Sequence, residues 1–205
     1  MSQSFEALLT NSKRIIPVIA LPDLECALPL AEILSKERFN VLEITLRTPF
    51  GLPAIEQLRK DMPEMIIGAG TVKNINHLND VINAGAHFAV SPGLDADMVK
   101  LAQHHKVHLI PGVMTPSEIM LAENLGLNTV KLFPAGLAGG TSFISSMASV
   151  FPQMQFFPTG GITEDNINEY LELNNVVCAG GTWLTPKSLL QKQDWSRLHE
   201  IALRC

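Results

Sequence analysis

The stretch Val41–Arg47 (VLEITLR) decides the fold, because it opens a unit that recurs along the whole chain. It is a short run of mostly aliphatic and β-branched residues, which is typical of a buried strand. A helical pattern follows at Pro53–Met62, and the next buried run comes at Met65–Val72. A strand, a helix and a strand in this order predict a right-handed crossover between parallel strands.

Eight such runs follow one another with their centres about 20–27 residues apart, which is the length of one strand, one helix and two loops. In a chain of 205 residues they predict a single (β/α)8 TIM barrel and one domain over residues 1–205. A doubly wound open sheet stays as the alternative, because eight parallel strands can also lie flat between two layers of helices. The predicted strands are Arg14–Ala20, Val41–Arg47, Met65–Val72, Phe88–Gly93, His108–Val113, Thr129–Ala135, Gln155–Ile162 and Val176–Trp183.

The segments between these strands have helical periodicity and begin at capping residues. Met1–Asn11 is predicted to form an extra helix that covers the floor of the barrel. Side chains suited to N-caps stand at Asp23, Asn74, Asp95, Thr115 and Thr163. The predicted helices are Leu24–Glu37, Pro53–Met62, Ile75–Ala84, Ala96–His105, Ser117–Leu125, Gly140–Phe151, Glu164–Leu173 and Ser188–Leu203.

The composition excludes several classes of protein. Charged residues make up 17% of the chain and hydrophobic residues 46%, so a large core is expected and disorder is excluded. The net charge is −5 and Lys and Arg form no cluster, so nucleic acid is not an expected partner. No apolar run approaches the roughly 18 residues of a membrane span, and Met1–Lys13 lacks the order of a signal peptide. We expect a cytoplasmic protein that has no membrane partner.

Strand alternation predicts which side chains enter the barrel. In Val41–Arg47 the even positions are all aliphatic and should face the helices, which leaves Glu43, Thr45 and Arg47 inside. The same alternation in the strand that begins at Thr129 directs Lys131 and Phe133 inward. An acid and two bases are therefore predicted in the interior of the barrel.

A lysine in this position has two interpretations. Lys131 and Glu43 could form a structural ion pair, although such pairs gain little over apolar residues because desolvating each ion is costly. A buried lysine also loses its proton more readily, and a neutral amine is the nucleophile that Schiff-base chemistry requires. We favour the second interpretation.

Glycine pairs stand at the ends of the last two predicted strands, at Thr159–Thr163 (TGGIT) and Ala179–Thr182 (AGGT). Barrels commonly bind phosphate at these two positions through backbone N–H groups and a helix N-terminus. A single Gly-Gly pair could simply form the turn, but two adjacent pairs favour a phosphate site.

Metal catalysis and a Ser/His/Asp triad are both disfavoured. The predicted catalytic rim carries no histidine: His87 and His108 begin strands, and the other four lie on helices or at their ends. His104 and His105 are adjacent rather than four residues apart, and the chain has no Cys-x-x-Cys pair. We predict no metal site.

Seven short motifs stand in order along the chain: Glu43–Arg47 (EITLR), Gly68–Thr71 (GAGT), Ser91–Gly93 (SPG), Pro111–Val113 (PGV), Lys131–Ala135 (KLFPA), Pro158–Gly161 (PTGG) and Gly180–Trp183 (GGTW). Together they resemble the class I aldolases that act on 2-keto-3-deoxy-6-phosphogluconate (KDPG) and 4-hydroxy-2-oxoglutarate (KHG), over about Arg14 to Pro186. The resemblance implies a homotrimeric barrel that cleaves the sugar acid to pyruvate and glyceraldehyde 3-phosphate with neither metal nor cofactor.

The resemblance also implies a role for each matching residue. Lys131 would form the imine and Glu43 would act as the general acid and base. The residues implied to bind substrate are Arg47 and Thr71 at the carboxylate, Pro92 and Phe133 around the pyruvate unit, Thr159 at a hydroxyl, and Gly160, Gly161, Gly181 and Thr182 at the phosphate. Many family members have Ser where Thr182 stands; the extra methyl group of Thr182 keeps the hydroxyl and narrows the phosphate pocket, which bears on preference for the phosphorylated substrate.

Two other classes of function remain open from the residues. The same lysine or the same phosphate rim could serve another barrel enzyme, an isomerase or a carbon–carbon lyase such as an oxaloacetate decarboxylase. A noncatalytic sensor of sugar phosphates is the third possibility, although a sensor has no evident need for an interior lysine facing a glutamate.

Overall fold

The computed structural model describes residues 4–205, in which strands alternate with helices from end to end. The strands are β1 (Ile15–Ile19), β2 (Val41–Thr45), β3 (Ile66–Gly70), β4 (Phe88–Val90), β5 (His108–Ile110), β6 (Gly112–Val113), β7 (Thr129–Leu132), β8 (Gln155–Phe156) and β9 (Ala179–Gly181). The helices are α1 (Phe5–Leu8), α2 (Ala27–Lys36), α3 (Gly51–Asp61), α4 (Ile75–Asn83), α5 (Ala96–His105), α6 (Pro116–Asn124), α7 (Gly140–Met147), α8 (Ile167–Leu171), α9 (Lys187–Lys192) and α10 (Trp195–Arg204).

The strands form two parallel sheets. One has six strands in the order β5-β4-β3-β2-β1-β9, and the other has three in the order β6-β7-β8. The predicted α/β class is confirmed, and each of the eight predicted strand regions contains a strand. The fifth region is divided into β5 and β6 at Pro111, which has no N–H to donate to a neighbouring strand.

The order of the strands argues against the doubly wound alternative. Successive strands are neighbours from β1 to β5, without the reversal of direction that defines a doubly wound sheet. The first strand also pairs with the last, through Ile16 opposite Gly180. Isolated bridges join the two sheets on the other side of β9, between Phe156 and Val176 and between Thr159 and Gly180.

Most predicted helices are present, with three corrections. The predicted N-terminal helix is only Phe5–Leu8 among the described residues, and its first three positions lie outside them. Ser188–Leu203 is two helices, α9 and α10, because Gln193 takes a left-handed conformation with φ +52°. Thr163 is not the cap of α8, since its N–H donates to the side chain of Asn166, which stands at the helix start. The side chains of the other four predicted N-caps accept a backbone N–H, namely Asp23, Asn74, Asp95 and Thr115.

Two apolar clusters lie on the two faces of the strands. Leu42 and Ile44 belong to the larger cluster, which packs the strands against the helices. Val41 belongs to a smaller inner cluster with Phe88 and Phe157, and Phe5 of α1 packs edge-on against Phe88 with ring centroids 5.3 Å apart. The alternation predicted for β2 is therefore confirmed, and the inner face becomes polar beyond Val41, toward the carboxyl end of the strand.

Candidate active site

A lysine and a glutamate meet between the two sheets. Lys131 on β7 and Glu43 on β2 are both buried, and Lys131 Nζ lies 3.8 Å from Glu43 Oε1. The distance is that of an ion pair and is longer than a hydrogen bond. Strand alternation alone directed both side chains inward, and the fold brings these two distant positions together.

The surroundings of Lys131 favour its neutral form. Burial is the largest influence and lowers the pKa of the Lys131 amine, and the positive charge of Arg47 lowers it further, against the opposite effect of Glu43. The Phe133 ring stands 4.9 Å from Nζ and covers the amine on one side. A lysine in this state supplies a neutral amine nearer to neutral pH than an exposed lysine does.

The carboxylate of Glu43 is held by packing rather than by hydrogen bonds. Neither of its oxygens has a hydrogen-bond partner among the described residues. A β-carbon at Gly70 would lie 2.1 Å from Glu43 Oε1, so the carboxylate occupies space that only glycine leaves open. A buried carboxylate that makes no hydrogen bond and lies beside a lysine is suited to accept and donate protons.

Arg47 and Thr71 form the first polar contact above this pair. Arg47 Nε donates to Thr71 Oγ1 at 3.1 Å, which links the chain after β2 to the chain after β3. Thr71 adopts φ +62°, a strained conformation for a β-branched residue and one found most often at functional sites. The remaining donors of the Arg47 guanidinium can meet a carboxylate as a planar fork.

A cavity of about 570 Å³ lies over the lysine. Nine of the eleven predicted site residues line it: Arg47, Thr71, Pro92, Lys131, Phe133, Thr159, Gly160, Gly161 and Thr182. Glu43 is fully buried and does not line the cavity. The hydroxyl of Thr159 is buried and has no hydrogen-bond partner among the described residues, so a group bound in the cavity could satisfy it.

The glycine-rich loops differ from each other in conformation. Gly160 and Gly161 have φ +94° and +79°, which L side chains rarely adopt, so this loop requires glycine. Gly181 is absent from the cavity lining, and a β-carbon there would lie 1.5 Å from the Trp183 ring. Gly180 lines the cavity instead, and strand alternation at the end of β9 could have indicated it.

Sequence reasoning missed three further lining residues, Val18, Lys73 and Ile162. Val18 follows from the alternation of β1. Lys73 is exposed and stands two residues after Thr71, at a position that no strand pattern covers. Of the three, only Lys73 carries a charge with which to bind an anionic ligand.

A second cavity, of about 470 Å³, opens at the amino ends of β5 and β7 and is lined by residues that include Phe5, His108 and Thr129. It brings together no lysine and carboxylate among the described residues. In barrels this end of the strands serves stability, whereas catalysis occurs at the carboxyl ends.

The described part of the chain contains neither a metal-binding cluster nor a membrane-spanning helix. Across residues 4–205, no three His, Cys, Asp or Glu side chains are grouped so that they could hold a metal ion. None of the helices described there is both long enough and apolar enough to cross a bilayer.

Comparison with known proteins gives the family. A family model, KDPG and KHG aldolase, matches residues 6–201. The chain is 43% identical over 199 residues to the KHG/KDPG aldolase of Escherichia coli (strain K12), covering 97% of this chain and 93% of that protein. It is 46% identical over 188 residues to the 2-dehydro-3-deoxy-phosphogluconate aldolase of Zymomonas mobilis, covering 92% and 88%.

A solved structure agrees with these relatives. KDPG aldolase from Legionella pneumophila, with pyruvate captured at low pH as a covalent carbinolamine intermediate, is 42% identical with a TM-score of 0.94, covering 99% of this chain and 98% of that one. The chain belongs to the KDPG and KHG aldolase family. The resemblance carried by the seven sequence motifs is confirmed.

Proposed function

We propose that this protein is a class I aldolase that cleaves KDPG to pyruvate and glyceraldehyde 3-phosphate, and KHG to pyruvate and glyoxylate. The observation that carries the proposal is the buried Lys131–Glu43 pair beneath a cavity whose rim holds an arginine. Pyruvate is held as a carbinolamine in the Legionella relative, and in this chain Lys131 would form such an adduct.

The reaction follows from the position of the lysine. The neutral amine of Lys131 adds to the carbonyl at C2, and the carbinolamine loses water to give a protonated imine. Loss of the C4 hydroxyl proton breaks the C3–C4 bond, and its electron pair moves toward the imine nitrogen. The aldehyde leaves and an enamine remains. A proton then adds to the enamine carbon, and one water hydrolyses the imine, which releases pyruvate and restores Lys131.

Glu43 is the proposed proton shuttle. Its carboxylate lies 3.8 Å from Lys131 Nζ, so it can reach the reacting atoms directly or through one water. It would remove the proton of the C4 hydroxyl and return one to the enamine carbon. Because the imine nitrogen accepts the electrons, the proposed reaction needs no metal and no cofactor.

The cavity walls would orient the substrate from end to end. Arg47, bonded to Thr71, would bind the C1 carboxylate, with Pro92 and Phe133 on either side of the pyruvate unit. The unpaired hydroxyl of Thr159 would bond a substrate hydroxyl.

The phosphate would bind at the opposite end of the cavity. The residues proposed to hold it are the backbone of Gly160, Gly161 and Gly181 and the hydroxyl of Thr182. Gly181 is the least accessible of the four, because the Trp183 ring covers its α-carbon.

We further propose that residues 1–205 form a single domain in which the two sheets close into a (β/α)8 barrel. The bridge between Thr159 and Gly180, and the hydrogen bond from Gly180 N–H to the Pro158 carbonyl, support closure between the last two strand regions. Helix α1 would cover the floor, since Phe5 packs on the inner cluster.

The oligomeric state and the cellular localisation of the protein are proposed from the family resemblance, which implies a cytoplasmic homotrimer. Association would cover four exposed apolar side chains on the segments that follow β6 and β7, namely Met114, Met120, Leu121 and Leu137. Small 2-keto acids and sugar-acid phosphates would be the ligands, with neither nucleic acid nor membrane as a partner.

The function is tested by supplying KDPG and KHG separately and measuring pyruvate with a coupled dehydrogenase, with and without a metal chelator. We expect pyruvate from KDPG at a rate that the chelator leaves unchanged. Folded protein that released no pyruvate from either substrate would contradict the proposal. Cleavage that stopped when the chelator was added would contradict the metal-free Schiff-base mechanism. The assignment of the protein as an aldolase would still stand.

A further inference from the structure

Lys73 lies on the rim of the cavity. Its neighbours in the chain hold its backbone in place, and its ammonium group forms no ion pair with the described residues. It stands between Val72, which is fully buried and whose N–H donates to the Val90 carbonyl, and Asn74, whose side chain caps α4. Among residues 4–205, no acidic side chain pairs with Lys73 and no hydrogen bond is made by its amine. Its side chain therefore extends from a defined point without a partner.

The ionisable side chains that line the cavity are all basic. They are Arg47, Lys73 and Lys131, and no acidic side chain is exposed on the wall. In the proposed reaction the nitrogen of Lys131 is bonded to C2 of the substrate, so Arg47 and Lys73 are the two cationic side chains of the lining left to bind the anionic groups of a substrate.

The position of Lys73 in the fold indicates which end of the substrate it would meet, namely the end that Arg47 and Thr71 would bind. Lys73 follows Thr71 on the loop after β3, and Thr71 is bonded to Arg47 from the chain after the neighbouring strand β2. Gly181 lies on β9, which β1 and β2 separate from β3 in the strand order, and Gly160 and Gly161 follow β8 of the other sheet. Lys73 therefore lies on the side of the cavity where Arg47 and Thr71 stand.

We propose that Lys73 is a specificity-determining residue that binds the carboxylate of the 2-keto acid together with Arg47. The inference rests on the proposed function, because it takes the ligand to be a 2-keto acid. An exposed lysine contributes less than a buried one and its contribution is screened by salt. Its loss should raise the half-saturating concentration of pyruvate by about two- to tenfold at low ionic strength.

The experiment measures the rate at which borohydride traps pyruvate on the protein, as a function of pyruvate concentration. Lys73→Met is compared with wild type and with Lys60→Met, which removes the same charge from an exposed position at the end of α3, outside the cavity lining. Lys73→Arg should restore most of the binding. The methyl ester of pyruvate serves as a probe without the carboxylate charge.

We expect Lys73→Met to raise the half-saturating concentration of pyruvate, to do so less at high salt, and to leave trapping of the methyl ester close to that of wild type. Lys60→Met should behave as wild type. The proposal is wrong if Lys73→Met and Lys60→Met match, or if the ester is affected as strongly as pyruvate. Wild-type protein that trapped no pyruvate would instead overturn the proposed function itself.

Discussion

Glu43 Oε1 lies 2.1 Å from the position that a β-carbon at residue 70 would occupy, so glycine on the neighbouring strand leaves the space that the proposed general base fills. Positions 43 and 70 lie on the paired strands β2 and β3, on the inner face of the sheet. The geometry of the site thus depends on a residue that has no functional group.

Gly70→Ala should therefore displace Glu43 without changing any reacting group. We expect turnover to fall about 10²-fold or more, since that is the usual contribution of a positioned acid or base. Gly93→Ala is the matched control, because a β-carbon at Gly93 meets nothing within 4 Å. Steady-state cleavage rates would test this, with circular dichroism to confirm that both variants fold. Equal activity in the two variants would mean that catalysis does not depend on the present position of the Glu43 carboxylate.

Glu43→Gln removes the proposed proton shuttle and keeps the volume of the side chain. We expect imine formation with pyruvate to persist slowly and turnover to fall by about 10²–10⁴-fold. Single-turnover trapping and steady-state rates separate the two effects. Unchanged turnover would assign the proton transfers to another group.

Thr182→Val keeps the shape of the side chain and removes its hydroxyl, and it avoids the strain that any substitution would cause at Gly161 with φ +79°. We expect kcat/KM to fall about tenfold or more for KDPG and much less for unphosphorylated KHG, because only the former has a phosphate to bind. Equal losses on both substrates would show that Thr182 shapes the cavity generally.

The pH dependence of imine formation reports the state of Lys131. Burial and Arg47 lower the pKa of this amine, so its neutral form should appear at a pH below that for an exposed lysine. The trapping rate at saturating pyruvate should rise with pH through an inflection below 10.5, the ordinary value. In Arg47→Met one lowering influence is lost, and the inflection should move to higher pH. An inflection at the same pH in both proteins would contradict the role given to Arg47.

The regular part of the fold was predictable because its signals are local. Aliphatic runs such as Val41–Arg47 identify strands, and their spacing allows little besides parallel strands joined by helices. Alternation within a strand then gave the inward direction of Glu43 and Lys131, because their aliphatic neighbours on each strand face the helices.

What could not be predicted depends on contacts between distant segments. Gly181 looked equivalent to Gly160, yet the Trp183 ring covers it, and nothing in the sequence fixes where that ring lies. Lys73 sits outside any strand pattern, so its place on the cavity rim follows only from the folded loop. The break at Gln193 depends on a left-handed conformation that glutamine does not signal.

The proposed reaction depends on a covalent adduct at Lys131, and locating that adduct tests it. The protein is incubated with pyruvate and borohydride, digested, and its peptides are mapped by mass spectrometry, with Lys131→Arg as the parallel sample. We expect one reduced pyruvyl group per chain, located on Lys131, and none in Lys131→Arg, since a guanidinium is not a nucleophile at neutral pH. A pyruvyl group on another lysine, or cleavage activity that persisted in Lys131→Arg, would contradict the proposed reaction.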